Sequence, residues 1–327
     1  MSEVVDNYGW AKRAALTADA HNADQAEVEA IKQTIVATAI SMYDERLAEE
    51  LEPEGNNLTR IDEQMLADVE LDSLSGRIIE EIQRRVELLG ENYPFTLIDG
   101  SLEYTPSKTG VYEFCLAVST APNLTTGNFV ELARYFEILA GDVVCHYMGV
   151  GSKFIRSGAP AYPQEALIRT FKGAIDHLHS ETGEWCWSPS DEAEADLAAI
   201  KDEGMDFVVW KSLDRRKGRL FVLGQCACGR TDWHQKTDDL NLSRIKRWVR
   251  ELPPVQPIRA FATPHNVTAT LVFGTLSTYA GLSFDRIRLT AVANSPMNRD
   301  HFSVKHAPTL LRLTQLVIAE ARLAEVA

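Results

Sequence analysis

The stretch 204-GMDFVVWKSLDRRKGRLFVLGQCACG-229 holds two short apolar runs, FVVW (207–210) and RLFVLGQCA (219–227), on either side of a charged turn. Two such runs joined by a short polar turn predict a β-hairpin. Downstream, the spacing predicts a helix over 239–252 that ends at Pro253-Pro254. It then predicts a strand at 258–263 (IRAFAT), a helix at 266–280, a strand at 282–293 (LSFDRIRLTAVA) and a final helix at 306–325. Upstream, a helix is expected over 163–180 with Pro163 at its start, then a polar loop and an acidic helix near 190–203. Phe129, Leu132, Ala133, Phe136, Ala140, Val143, Val144 and Tyr147 recur at helical spacing, so 128–148 reads as a longer amphipathic helix closed by Gly149 and Gly151. Alternating helices and strands of this kind suit an α/β chain: a mixed sheet with helices on both faces.

The N-terminal part reads differently. A helix is expected over 24–50, a polar loop over 51–66, and a second helix over 70–89 that Gly90 stops. The runs PFTLI, SLEYT and VYEFCLAVS between 94 and 119 read as strands or as a buried connection. Two regions result: a mainly helical, acidic one (1–127) and a core (128–327). No internal repeat or low-complexity tract is visible.

The 327 residues suit one large domain or two modest ones. With 45% hydrophobic and 24% charged residues, a fully disordered chain is excluded. No run approaches the roughly 18 apolar residues that a membrane span needs. The N-terminus lacks a charged head followed by an apolar run, so no secretory leader is expected. Five cysteines without a regular framework suggest free thiols in a reducing, cytoplasmic setting.

Charge is distributed unevenly. The chain carries −14 overall, and residues 1–100 hold 22 acidic and 8 basic groups, which accounts for all of it. Residues 201–260 hold 13 basic and 8 acidic groups, a local excess of +5. A local positive field of this kind is what phosphate binding requires. Arg215, Arg216, Lys217 and Arg219 lie in the hairpin turn, and Arg244, Lys246, Arg247 and Arg250 lie on the following helix, with Trp233 and Trp248 nearby. Arginine can engage a phosphate with two parallel bonds. These groups suit phosphate contacts of a nucleic acid such as DNA or form a solvated turn and helix face, and the acidic N-terminal region is a candidate for docking a protein partner or masking the basic face. Association with further copies of the chain is also possible.

Glu137 on the long helix, Asp206 before the first strand and Gln225 near the end of the second form a candidate site. Antiparallel strands bring Asp206 and Gln225 to one sheet end, where their oxygens suit a hard divalent cation such as Mg²⁺. Such an ion polarises a phosphodiester and activates water.

The span GMDFVVWKSLDRRKGRLFVLGQCACG resembles the core of PD-(D/E)xK nucleases, especially the Mrr-type restriction endonuclease branch. ARYFEILAGDVVCHYMG resembles the helix that often precedes that core and carries a Glu. The resemblance covers roughly residues 128–293 and implies a restriction-endonuclease-like mixed sheet flanked by helices. It also implies that Glu137, Asp206 and Gln225 hold Mg²⁺ or Mn²⁺ for DNA hydrolysis, in restriction or anti-phage defence. The family's lysine falls on position 227, where this chain has Ala227. Lys236, in WHQK, is the preferred replacement, ahead of Lys211 and Arg230. The alternative is a catalytically inactive nuclease-fold scaffold or sensor that binds nucleic acid or a partner. A further alternative is an unrelated small-molecule enzyme on an α/β sheet.

Other combinations are weaker. Cys226 and Cys228 with His234 and Cys186 lack the usual zinc-ligand spacing. A nucleophilic cysteine paired with His234 or His146 has no local signature. GVGSK (149–153) follows a helix, not a strand, and lacks phosphate-loop spacing. FDRIR (284–288) reads as a strand whose Asp285 forms a surface pair with Arg286 or Arg288.

Overall fold

A computed structural model describes residues 20–32, 60–157, 170–191, 193, 203–229, 233–268 and 270–326. The chain is α/β. Five strands, β3 (Ser152–Arg156), β4 (Phe207–Lys211), β5 (Leu220–Cys226), β6 (Ile258–Ala262) and β7 (Leu282–Phe284), form one sheet in sequence order. The β3–β4 and β4–β5 pairs are antiparallel and the β5–β6 and β6–β7 pairs parallel, so β4 alone runs against the other four. A separate hairpin, β1 (Phe95–Ile98) and β2 (Ser101–Tyr104), turns through Asp99 and Gly100. Both turn residues have positive φ (48° and 79°), as a two-residue hairpin turn requires.

Alternation along the strands supplies two cores. Phe207, Val209 and Val222 pack with the helices Val111–Thr120 and Val130–Met148. Val208, Trp210, Phe221 and Leu223 face the other way, onto Phe171, Ile175 and Leu178 of the helix Phe171–Thr182 and onto Trp185 and Trp248. Close approach needs small residues. A Cβ on Gly141 would lie 2.8 Å from the Phe154 ring, and Gly224 sits directly against the Phe207 ring.

The predicted hairpin, the 258–263 strand and the helices at 128–148, 266–280 and 306–325 have counterparts in Phe207–Cys226, Ile258–Ala262, Val130–Met148, Thr270–Ala280 and Ala307–Val326. Several expectations are corrected. Residues 282–293 form a three-residue strand and then a helix, Arg286–Ala293, whose N-cap Asp285 accepts from the Arg288 N–H at 3.0 Å. The run VYEFCLAVS is a helix, buried on nearly every side, and periodicity cannot separate such a segment from a buried strand. Strand β3 was not anticipated. The helix Arg60–Leu89 begins within the expected loop, and the helix expected over 239–252 is limited to Leu242–Lys246. Parts of the helices expected at 24–50, 163–180 and 190–203 lie outside the described residues.

The N-terminal segments pack on the same body. Val111, Phe114 and Val118 share a core with Leu132, Phe136 and Leu139, across the anticipated boundary at 127. The helix over 20–32 is tied in by charge. Asp24 pairs with Arg286 at 2.7 Å and with Arg85 at 2.8 Å, and Glu27 pairs with Arg85 at 2.7 Å. All four side chains are buried. Burial opposes ionisation of Asp24, but Arg286 and Arg85 outweigh it and hold its carboxyl well below the usual range. Part of the N-terminal acidic excess is therefore neutralised inside the fold. Arg286, expected in a surface pair, is instead fully buried.

Candidate functional site

Asp206 occupies a corner of three strands. Its backbone carbonyl accepts from the Ser157 N–H at the end of β3 (2.8 Å), and its own N–H donates to Gly224 O on β5 (2.8 Å). Its Oδ2 accepts from the Cys226 N–H at 2.6 Å. Hairpin register, with Phe207 opposite Gly224, sets this meeting. Glu137 reaches the same end of the sheet from the long helix, where Arg156, the last residue of β3, bonds its Oε2 at 2.5 Å.

Two thiols, Cys226 and Cys228, stand near these acids. Burial pushes Cys226 well above the usual thiol range, and the charges of Asp206 and Glu137 add to the effect. Cys228 is pushed up by burial, then by Glu137 and Asp206, with Lys236 opposing. Lys236 follows on the short helix Trp233–Asp238, after the end of β5. A nucleophilic cysteine is disfavoured here, because the thiolate is the reactive form.

Gln225 is placed differently. Alternation on β5 puts it on the face of Phe221 and Leu223, away from the core that holds Cys226. It is 4% exposed, and its Oε1 accepts from the Leu240 N–H at 3.3 Å. The side chain therefore anchors the segment that follows Lys236. Ala227 is fully buried with Trp233 and Phe261, so a lysine at that position would point into an apolar cluster.

The basic set divides. Arg215, Arg216 and Lys217 are exposed in the β4–β5 turn, at the end of the hairpin opposite Asp206. Arg216 pairs with Asp214 at 2.7 Å. Arg219 leaves the basic surface: it is 7% exposed, paired with Glu184 at 3.1 Å and bonded to Thr182 O and Ser212 Oγ at 2.7 Å. Arg244 is exposed and pairs with Glu203 at 2.9 Å, and Arg247 is half-buried. Lys211 donates to Met148 O at 2.8 Å, also at the far sheet end. Arg230 and the His234 side chain lie outside the described residues.

A second cluster was not read from the sequence. Asp142 Oδ2 lies 2.8 Å from His301 Nε2, 2.7 Å from His306 Nε2 and 3.0 Å from Lys305 Nζ. Burial opposes ionisation of Asp142, yet the bonds from His306 and His301 and the Lys305 charge hold its carboxyl well below the usual range. Burial lowers His306. The separation of 159 residues or more from Asp142 to the histidines hides this cluster from any local motif.

Comparison with protein-family models, with curated proteins and with solved structures returns no match.

Proposed function

We propose that the chain is a metal-dependent nuclease that hydrolyses DNA phosphodiester bonds at the sheet end bearing Glu137 and Asp206. The observation that carries this reading is that Asp206, bonded to the Cys226 and Ser157 backbone, and Glu137, bonded to Arg156 one residue before Ser157, meet at one end of the sheet. The mixed sheet, with a long helix before it and Asp206 beginning the first hairpin strand, agrees with the architecture implied by the PD-(D/E)xK resemblance.

The donor types fit a hard cation, since Glu137 and Asp206 are carboxylates at one end of the sheet, each with one oxygen already held by Arg156 or the Cys226 N–H. Glu137 and Asp206 would hold Mg²⁺ or Mn²⁺, which when bound supplies Lewis-acid polarisation of the phosphodiester. Arg156 orients Glu137 through Oε2. Lys236 stabilises the negative charge that grows on the phosphate as water attacks phosphorus and the P–O bond breaks. Gln225 acts as a positioning residue, because its bond to Leu240 N fixes the segment following Lys236. Restriction or anti-phage defence is the setting that the resemblance suggests.

The test is cleavage of plasmid and linear DNA with Mg²⁺ or Mn²⁺ by wild type, Asp206→Ala and Lys236→Ala. Loss of about 10²-fold or more in both variants is expected. Cleavage that survives Asp206→Ala would overturn the assignment.

A second reading is favoured by Ala227, the buried residue at the lysine position. In it the nuclease scaffold binds nucleic acid without cutting. No cleavage, no Mg²⁺-induced thermal stabilisation, and DNA binding unchanged in Asp206→Ala would select it.

A further inference from the structure

Beyond the sheet-end site, the helix Val130–Met148 carries a second set of donors at Asp142 and His146. The helix Arg299–Lys305 and the residue after it supply His301, Lys305 and His306. One ligand atom from each of Asp142, His301 and His306 lies within 4.8 Å of the others. His146 Nε2 is 3.7 Å from Asp142 Oδ1, and its ring centroid is 4.1 Å from that of His301. One carboxylate and two imidazoles therefore share one spot, and the His146 imidazole borders it on the Oδ1 side.

Two of the rings are also held from behind. His306 Nδ1 meets the Tyr135 hydroxyl at 3.0 Å, and His146 Nδ1 meets Asn298 Oδ1 at 3.2 Å. These partners turn Nε2 of both rings toward Asp142. Fixing the distal nitrogen of a histidine in this way is the usual outer-shell arrangement of a metal ligand. Burial differs across the group. Asp142 and His306 are buried, while the His146, His301 and Lys305 side chains retain 27%, 34% and 41% exposure. The cluster has a rigid floor and a rim open to solvent, through which an ion can enter.

We propose that Asp142, His146, His301 and His306 form a binding site for a divalent transition-metal ion of the Zn²⁺ class. Imidazole-rich sets select such ions over Mg²⁺. Tetrahedral zinc at about 2.0–2.1 Å from nitrogen and oxygen holds its ligand atoms about 3.3 Å apart. The His301 and His306 nitrogens stand 2.8 and 2.7 Å from Asp142 Oδ2, so the group opens by about half an ångström to admit the ion. Lys305 competes, because its ammonium shares Asp142 Oδ2. It lies on the exposed rim, so it can swing into solvent when the metal enters. Bound metal would clamp the long helix, and with it Glu137, to the C-terminal helices.

The experiment is equilibrium dialysis of the untagged full-length protein against Zn²⁺, with elemental analysis and thermal unfolding. One equivalent of Zn²⁺ and a raised melting temperature are expected at this site and should persist in Asp206→Ala, a variant in which Mg²⁺ should give no such rise. His301→Ala, at a half-exposed position, should weaken Zn²⁺ at least tenfold, and His146→Ala should weaken it less. Lys305→Met should tighten it severalfold, because the competing cation is gone. Asp206→Ala should leave Zn²⁺ binding intact, which separates this site from the proposed nuclease centre. Wild type without stoichiometric Zn²⁺, or His301→Ala binding as tightly as wild type, would overturn the proposal. Unchanged affinity in Lys305→Met would remove Asp142 Oδ2 from the ligand set and overturn the site as drawn.

Discussion

The Asp206 carboxylate accepts a 2.6 Å hydrogen bond from the backbone N–H of Cys226, joining the start of β4 to the end of β5. Asp206 thus has a structural part as well as its proposed chemical one. Asp206→Ala removes the acceptor and should cost about 1–3 kcal/mol, read as a lower urea midpoint. Asp206→Asn keeps an oxygen acceptor and should recover most of that stability. It still lacks the carboxylate charge, so it is the cleaner variant for the cleavage assay.

Gln225 and Ala227 are both buried and lead to separate predictions. Gln225→Leu strands the Leu240 N–H and should destabilise by about 1–3 kcal/mol. Cleavage should fall in that variant while DNA affinity is retained, because Lys236 loses its fixed segment. If Lys236 has its proposed role, Ala227→Lys should not restore cleavage lost in Lys236→Ala. A charge forced among Trp233 and Phe261 is unpaired, and the expected result is a melting temperature several degrees lower.

The buried pairs of Asp24 and Glu27 with Arg85 and Arg286 should behave as one unit. Arg286→Met leaves Asp24 short of a partner and should cost about 3–5 kcal/mol, with loosened docking of the helix over 20–32. The double variant Asp24→Ala with Arg286→Met should cost less than the sum of the single changes. Strict additivity in chemical denaturation would show that the pair is not coupled.

Acid should destabilise the protein in two stages. Burial, then the Arg286 charge, lowers His265 from 6.5 to about 4, so its neutral form is the native one. The unfolded chain takes up that proton first, and the contribution is complete above about 6.5 and lost as pH falls toward 4. Asp24 and Asp142 are depressed below 3.8, so their contributions persist above that value and are lost as pH falls further. Denaturation midpoints between pH 7 and pH 2 should show both stages, and His265→Gln should reduce the first, to which His306 also contributes, without altering the second.

Gly224 is required by packing. Its Cα faces the Phe207 ring, and a methyl group there has no space. Gly224→Ala should destabilise by about 1–3 kcal/mol or more, measured by thermal unfolding. Because Gly224 O also accepts from Asp206 N, the same change should impair the proposed site.

How much of the molecule is legible along the chain depends on the range of the interaction. The β4–β5 hairpin and the 130–148 helix were readable because their signals, apolar runs beside a polar turn and a 3.6-residue stripe, lie within one element. Asp206 and Glu137 were readable as candidates for the same reason, through motifs adjoining those elements. The segment 282–293 was misread because Asp285 caps a helix immediately after β7, and an apolar pattern alone does not reveal where a strand stops. Arg219 was misread because its partner, Glu184, lies 35 residues away.

The sequence by itself determined the α/β alternation, the hairpin and the acidic and basic segments, since each follows from local spacing and composition. Only the tertiary structure decided that Gln225 bonds the Leu240 N–H, that Arg286 is buried against Asp24, and that Asp142 meets His301 and His306. Those outcomes depend on strand register and on which helix faces which, and both are set by packing between segments far apart in the chain.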